Sequence, residues 1–222
     1  MLREEKTYTL HPCHPEAGQR FAEYLFEDAL RNPHPERPRV VVMTAGGTGA
    51  GKTSGLTASP ELSDVRFVCD SNLGSKKSRV QKIDAAQAAG NRVRVIFVHR
   101  DPVEALTNGV LPRAMENGRI VSLDAHARTY RASAENIRYL IRKYSGDPDV
   151  HFTAIDNSRF GQTPRLMPPE KTADIRYSTD DIRPKLRVAL ESEYAAGRIS
   201  ESVYRATLGP SSPETPGSVP RD

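Results

Sequence analysis

Val40-Val41-Val42-Met43 leads within two residues into Gly46-Gly47-Thr48-Gly49-Ala50-Gly51-Lys52-Thr53. The first stretch is continuous and rich in β-branched side chains, which fits a strand buried on both faces of a parallel sheet. The second satisfies G-x-x-x-x-G-K-[ST] and stands between that strand and a predicted helix, the setting this phosphate-binding loop requires. Glycines let such a loop curl until successive backbone N–H groups point at phosphate oxygens, and the following helix adds its positive end. Gly46, Gly47, Thr48, Gly49, Ala50, Gly51, Lys52 and Thr53 are therefore the candidate nucleotide-binding set. Lys52 is expected to reach the β and γ phosphates of ATP or GTP. The Thr53 hydroxyl, a hard oxygen, is the expected Mg²⁺ ligand.

Outward from the loop, three more strands are predicted at Val65 to Cys69, Val93 to Val98 and Val150 to Ile155, with helical patterns between them. The fold class read from this order is α/β: a P-loop NTPase or kinase fold with a central, mostly parallel sheet flanked by helices, plus a helical C-terminal appendage. Residues 14 to 31 read as an amphipathic helix started by Pro15 and ended by Asn32-Pro33. Leu73 to Ala89 reads as a helix with a solvated basic face of Lys76, Lys77, Arg79 and Lys82. A helix capped by Ser122 carries the apolar stripe Leu123, Ala127, Tyr130, Ala134, Ile137, Ile141 and Tyr144. Residues 161 to 181 read as a polar, proline-bearing linker, and Ile182 to Leu208 as one or two helices interrupted near Gly197. The expected divisions are 1–38 as an N-terminal helical extension, 39–160 as the kinase core, 161–208 as linker and appendage, and 209–222 as a disordered tail.

The carboxyl ends of parallel strands line the ligand crevice of such sheets. Asp70 ends the second predicted strand, where it has two chemical roles open to it: accepting a hydroxyl proton as a kinase base, or holding Mg²⁺. An ordinary turn or helix cap at Asp70-Ser71-Asn72 is the alternative. Charge on a phosphoryl group in transfer calls for cations beyond Lys52, and the planar fork of arginine meets two oxygens at once. Arg113 and Arg119 are the candidates, flanking a short segment, 114–118, expected to close over the phosphates; exposed surface arginines are the alternative. Arg128 has a weaker claim. Asp101 in His99-Arg100-Asp101-Pro102 is either a metal or acceptor ligand or an Asp-Pro turn. Glu104 and Asn108 are options for orienting acceptor hydroxyls, and Asp156-Asn157 for approaching the nucleotide base.

The 222 residues suit one domain with additions, and the 17 prolines imply irregular segments. No apolar run approaches the ~20 residues of a membrane span, so a cytoplasmic protein without membrane contact is expected. Cys13 and Cys69 are assigned neither a disulfide nor a metal, and His11 and His14 lack a second ligand pair at zinc-site spacing. The net charge of +4 is small and spread along the chain, so nucleic acid is not an expected partner.

From about 39 to 157 the order of features resembles the zeta toxin family of P-loop kinases. The likeness rests on the phosphate loop, on Val68-Cys69-Asp70-Ser71-Asn72-Leu73, on Val98-His99-Arg100-Asp101-Pro102, and on the segment from Arg113 to Val121. What the resemblance implies is an ATP- or GTP-dependent kinase acting on a sugar hydroxyl of UDP-N-acetylglucosamine, with an antitoxin protein as a possible partner. By position it implies Lys52 as the phosphate-binding lysine, Asp70 as catalytic base, and Arg113 with Arg119 as phosphate-clamping arginines. Two other readings share the loop: a polynucleotide kinase, and a nucleotide-dependent NTPase or switch acting through a protein partner.

Overall fold

The computed structural model describes residues 15–32, 39–57, 67–69 and 75–209. The expected link at 33–38, Asp70 with the turn that follows it, His11, Cys13 and His14, and the expected tail beyond Gly209 lie outside these residues. Five strands form one sheet in the order β2-β1-β3-β4-β5. They are β1 (Val40–Ala45), β2 (Phe67–Cys69), β3 (Arg92–His99), β4 (Val150–Asp156) and β5 (Arg165–Met167). The first four are parallel, with Val41 beside Val93 and Val93 beside Val150, while β5 runs antiparallel to β4. Residues 40–45 and 93–98 read as near-continuous apolar runs because β1 and β3 are interior strands covered on both faces.

Helices α1 (Pro15–Arg31), α3 (Lys76–Ala88) and α6 (Leu123–Lys143) bring Phe26, Ile83, Ala86, Ile137 and Leu140 against Val41, Met43 and Ala45 of β1. Val42 lies with Ile96, Val98 and Ile155 on the opposite face, the side from which Gly55 of α2 (Lys52–Thr57) approaches Val98. A second core gathers α4 (Pro102–Ala105), a π-helical turn at Leu106–Val110, α5 (Leu111–Asn117), the first half of α6, α7 (Thr179–Ala195) and α8 (Glu201–Leu208). Leu186 and Leu190 are fully buried there, and each such side chain contributes about 1.5–3 kcal/mol by leaving water. The helical appendage is thus packed on α4 to α6, and α6 belongs to both cores. Ser122 caps α6, its hydroxyl accepting from Ala125 N at 3.2 Å. No helix among the described residues is long and apolar enough to cross a membrane.

Four local readings are corrected. The helix expected from Leu73 begins at Lys76, where the Ser75 hydroxyl accepts from Ser78 N and caps the first turn. On its basic face Arg79 is buried rather than solvated. The stretch read as a linker contributes β5 and a 3₁₀ turn at Pro169–Ala173. The short segment between Arg113 and Arg119, read as lying between helical patterns, is itself helical as far as Asn117, with Gly118 in the left-handed conformation as its stop.

Candidate active site

The phosphate loop springs from the carboxyl end of β1, between the neighbouring ends of β2 and β3. Within it Ala50 N donates to Gly47 O, and Gly55 N to Gly51 O closes the first turn of α2. Lys52 Nζ reaches back over the loop to Gly47 O at 3.4 Å. Gly51 has φ +82°, and a Cβ there would sit 2.3 Å from Asn157 Nδ2. That contact is occupied for a reason: Asn157, just past β4, donates from Nδ2 to Ala50 O at 2.9 Å and ties the loop to the strand end. At Gly47 the constraint is the Tyr130 ring, which a Cβ would approach to 2.4 Å.

Helix α6 supplies the rest of the cradle. Thr129 donates its hydroxyl proton to His126 O at 2.8 Å, so its lone pairs receive both Thr48 N–H at 3.2 Å and the Thr48 hydroxyl at 3.1 Å. His126 is fully buried, and since the Pro102 carbonyl can only accept, the bond of 2.9 Å fixes the proton on Nε2. Burial pushes the His126 pKa down to about 4, against a smaller opposing effect of that hydrogen bond, and the ring is neutral near pH 7. Its ring centroid lies 4.9 Å from that of Tyr130, which meets Tyr177 edge-on at 5.7 Å. Burial also raises the Tyr130 phenol well above its ordinary value, keeping it protonated. His99 stacks near Tyr177 at 6.3 Å. Burial holds its pKa below the usual range despite the attraction of Asp156 and Asp101.

The remaining sequence-derived candidates are distributed unevenly. Asp101 Oδ1 accepts from Val103 N at 2.8 Å and Glu104 N at 3.1 Å, the geometry of a helix cap. Asn108 Nδ2 donates to Glu104 Oε2 at 2.9 Å. Arg113, on α5, and Arg119, just beyond Gly118, are both exposed, and neither guanidinium forms an ion pair among the described residues. Arg128 is held by Asp124 at 3.5 Å on the surface of α6. Asp156 Oδ1 accepts from Ser158 N at 2.9 Å. Asp70 follows Cys69, the last residue of β2, and lies outside the described residues. Sequence reasoning passed over Thr129 and His126, and it read Tyr130 only as core. A hydroxyl and an imidazole flanking that apolar stripe were the available signal.

For Mg²⁺ the donor chemistry fits: Thr53 is exposed in the first turn of α2, next to Lys52, and offers the hard oxygen that the ion prefers.

A mostly parallel sheet with this loop at the carboxyl end of an interior strand defines a P-loop nucleotide-binding fold. More narrowly, residues 63–160, somewhat under half the chain, match the family model described as zeta toxin. Among solved structures the chain is similar to that of AvrRxo1-ORF1:-ORF2 with ATP, at 15% identity and a TM-score of 0.53, covering 88% of this chain and 89% of that one. The same complex with sulphate ions aligns at 14% identity and a TM-score of 0.48, over 88% and 85% of the two chains. No curated protein sequence matches the chain.

Proposed function

We propose that the chain transfers the γ-phosphoryl group of ATP or GTP to a hydroxyl of a small molecule, with a sugar nucleotide such as UDP-N-acetylglucosamine as acceptor. The observation that carries this reading is the pre-shaped phosphate loop, fastened at Ala50 by Asn157 and at Thr48 by Thr129. Preorganised N–H groups stabilise charge without reorganising during the reaction. The zeta toxin match supports the acceptor class, and the similar fold solved with ATP supports the nucleotide. That neighbour is a complex of two proteins, which supports a protein partner, an antitoxin, for this chain. Nucleoside triphosphates are cytoplasmic co-substrates, and the reaction is assigned to that compartment.

In the proposed step the acceptor oxygen attacks the γ phosphorus, its proton passes to Asp70, and the bond to the β–γ bridging oxygen breaks to release the diphosphate. Lys52 and the loop N–H groups hold the β and γ oxygens. Arg113 and Arg119, exposed and free of ion pairs among the described residues, take up charge on the transferred group when the α5 end closes. Mg²⁺, held by Thr53, supplies further neutralisation of phosphate charge when bound.

The test incubates the purified chain with Mg-ATP or Mg-GTP and UDP-N-acetylglucosamine, with Lys52→Ala and Asp70→Asn alongside, and seeds mass spectra for one added phosphoryl group. The expected result is a product absent from both variants. Nucleotide hydrolysis without a phosphorylated acceptor would instead support the NTPase or switch reading. Transfer only to oligonucleotide ends would support the polynucleotide kinase.

A further inference from the structure

Arg100, the residue that follows β3, is a buried cation with 7% of its surface exposed. Its Nε is enclosed without a hydrogen-bond partner, and its guanidinium forms no ion pair with any described residue. The carboxylates beside it are engaged elsewhere. Asp101 accepts the two N–H groups at the start of α4, and Asp156, paired with His99 across β3 and β4, accepts from Ser158 N. One face of the guanidinium is covered by the exposed ring of Phe160, whose centroid lies 5.7 Å from Cζ. Such stacking orients the plane and leaves the N–H edge to meet an oxygen ligand. An ionised group enclosed without a counter-charge is costly, and a fold retains one where a ligand offsets the cost.

The surroundings identify that ligand. β3 lies beside β1, and past their paired residues Gly46 runs so close to β3 that a Cβ would stand 2.6 Å from the Val98 carbonyl oxygen. Asn157 N donates to His99 O at 2.8 Å, while Asn157 Nδ2 donates to Ala50 O at 2.9 Å. Through Val98 and His99, Arg100 is therefore joined to both the first and the fifth residue of the phosphate loop. Tyr130, whose ring closes on Gly47, adds a second buried polar atom without a partner, its Oη, and the Arg100 charge acts on that phenol. Lys52 Nζ meets the same stretch of loop at Gly47 O. Among the described residues, this is where buried polar atoms without partners adjoin the motif that binds phosphate.

We infer that Arg100 is a ligand of the nucleotide's phosphate chain, reaching it from the β3 side of the loop, and that the bound phosphates are the counter-charge of this guanidinium. The role is separate from those of Lys52 and of the Arg113 and Arg119 clamp; it rests on the nucleotide-binding part of the proposed function and not on the acceptor. Two opposite consequences follow. Replacing Arg100 by an apolar side chain of similar length stabilises the ligand-free protein, because no ion is then enclosed. The same change weakens phosphate binding, because charge-assisted hydrogen bonds are lost. A guanidinium serving the fold alone would do neither.

The test compares the full chain with Arg100→Met and Arg100→Lys. Each is melted without ligand and titrated calorimetrically, in Mg²⁺, with the non-hydrolysable β,γ-imido analogue of ATP and with tripolyphosphate; Lys52→Ala marks the share of each titration that belongs to the loop. The methionine variant should melt about 2–4 °C above the parent and bind both ligands about tenfold more weakly or worse. The lysine variant, which keeps the charge without the planar fork, should fall between. Unchanged affinity in the folded methionine variant overturns the inference, as does a lower melting temperature without ligand. A loss confined to the nucleotide, with tripolyphosphate affinity kept, places Arg100 at the base or sugar and also overturns it. The parent protein supplies a readout that no variant's folding affects: its Arg100 Nε–H NMR signal should move when tripolyphosphate binds, and a signal that stays in place overturns the inference. Binding of neither ligand by the parent defeats the nucleotide-binding reading itself, whereas loop-dependent binding indifferent to Arg100 defeats this inference alone.

Discussion

The hydroxyl of Thr129 accepts the backbone N–H of Thr48 across 81 positions of sequence, and it receives the Thr48 hydroxyl as well. A single side chain on α6 thereby sets the conformation of the third residue of the phosphate loop. Thr129→Val keeps the shape but leaves both Thr48 donors without this acceptor, and the looser loop should bind nucleotide about tenfold more weakly. Thr129→Ser should stay close to the parent. Fluorescent-nucleotide titration checks both; equal affinity for the valine variant would remove Thr129 from the cradle.

Tyr130 offers a contrast between ring and hydroxyl. Its Oη is buried with no hydrogen-bond partner among the described residues, so Tyr130→Phe should change stability by less than about 1 kcal/mol. Tyr130→Ala opens a cavity under Gly47 and should cost about 3 kcal/mol or more. Urea unfolding of the two variants gives the comparison directly.

The buried His126 makes stability depend on pH. Its folded pKa of about 4 lies below the ordinary 6.5, so between those values the unfolded chain binds a proton that the folded chain does not. Stability is unaffected by this group above pH 6.5 and declines as pH falls toward 4, by at most about 3 kcal/mol. His126→Gln, whose amide can still donate to Pro102 O, should flatten that part of the profile. The difference between variant and parent, measured at each pH, separates this effect from that of the carboxylates.

Arg113 and Arg119 test the clamp. If they act on charge that develops during transfer, replacing either by Gln should lower kcat by about a hundredfold while nucleotide affinity changes by less than about threefold. Loss of affinity with kcat intact would make them ground-state contacts instead.

How far the sequence was legible follows the range of the interactions. The phosphate loop and β1 could be read because their chemistry lies within fourteen consecutive residues, 40–53. α6 was legible through its periodic stripe, since Leu123, Ala127, Tyr130, Ala134 and Ile137 are all buried. β5 was not, because three residues paired through backbone groups at a sheet edge leave little side-chain pattern. Nor was the helical character of residues 114–117 read, though Pro112 in the first turn and Gly118 at the end punctuate it. The roles of Thr129 and Asn157 depend on partners 81 and 107 positions away. No local pattern encodes such a contact.

The bond from Asn157 to Ala50 has a consequence for synthesis. A ribosome finishes the glycine-rich segment early, yet the second strand partner of β1 arrives only with residues 92–97, and the two tethers only with Thr129 and Asn157. A nascent chain halted before residue 157 would carry the motif without its finished shape. Acquisition of tight nucleotide binding would therefore mark the late stage of folding, after the β4 end has docked, and a truncated translation product would be catalytically silent.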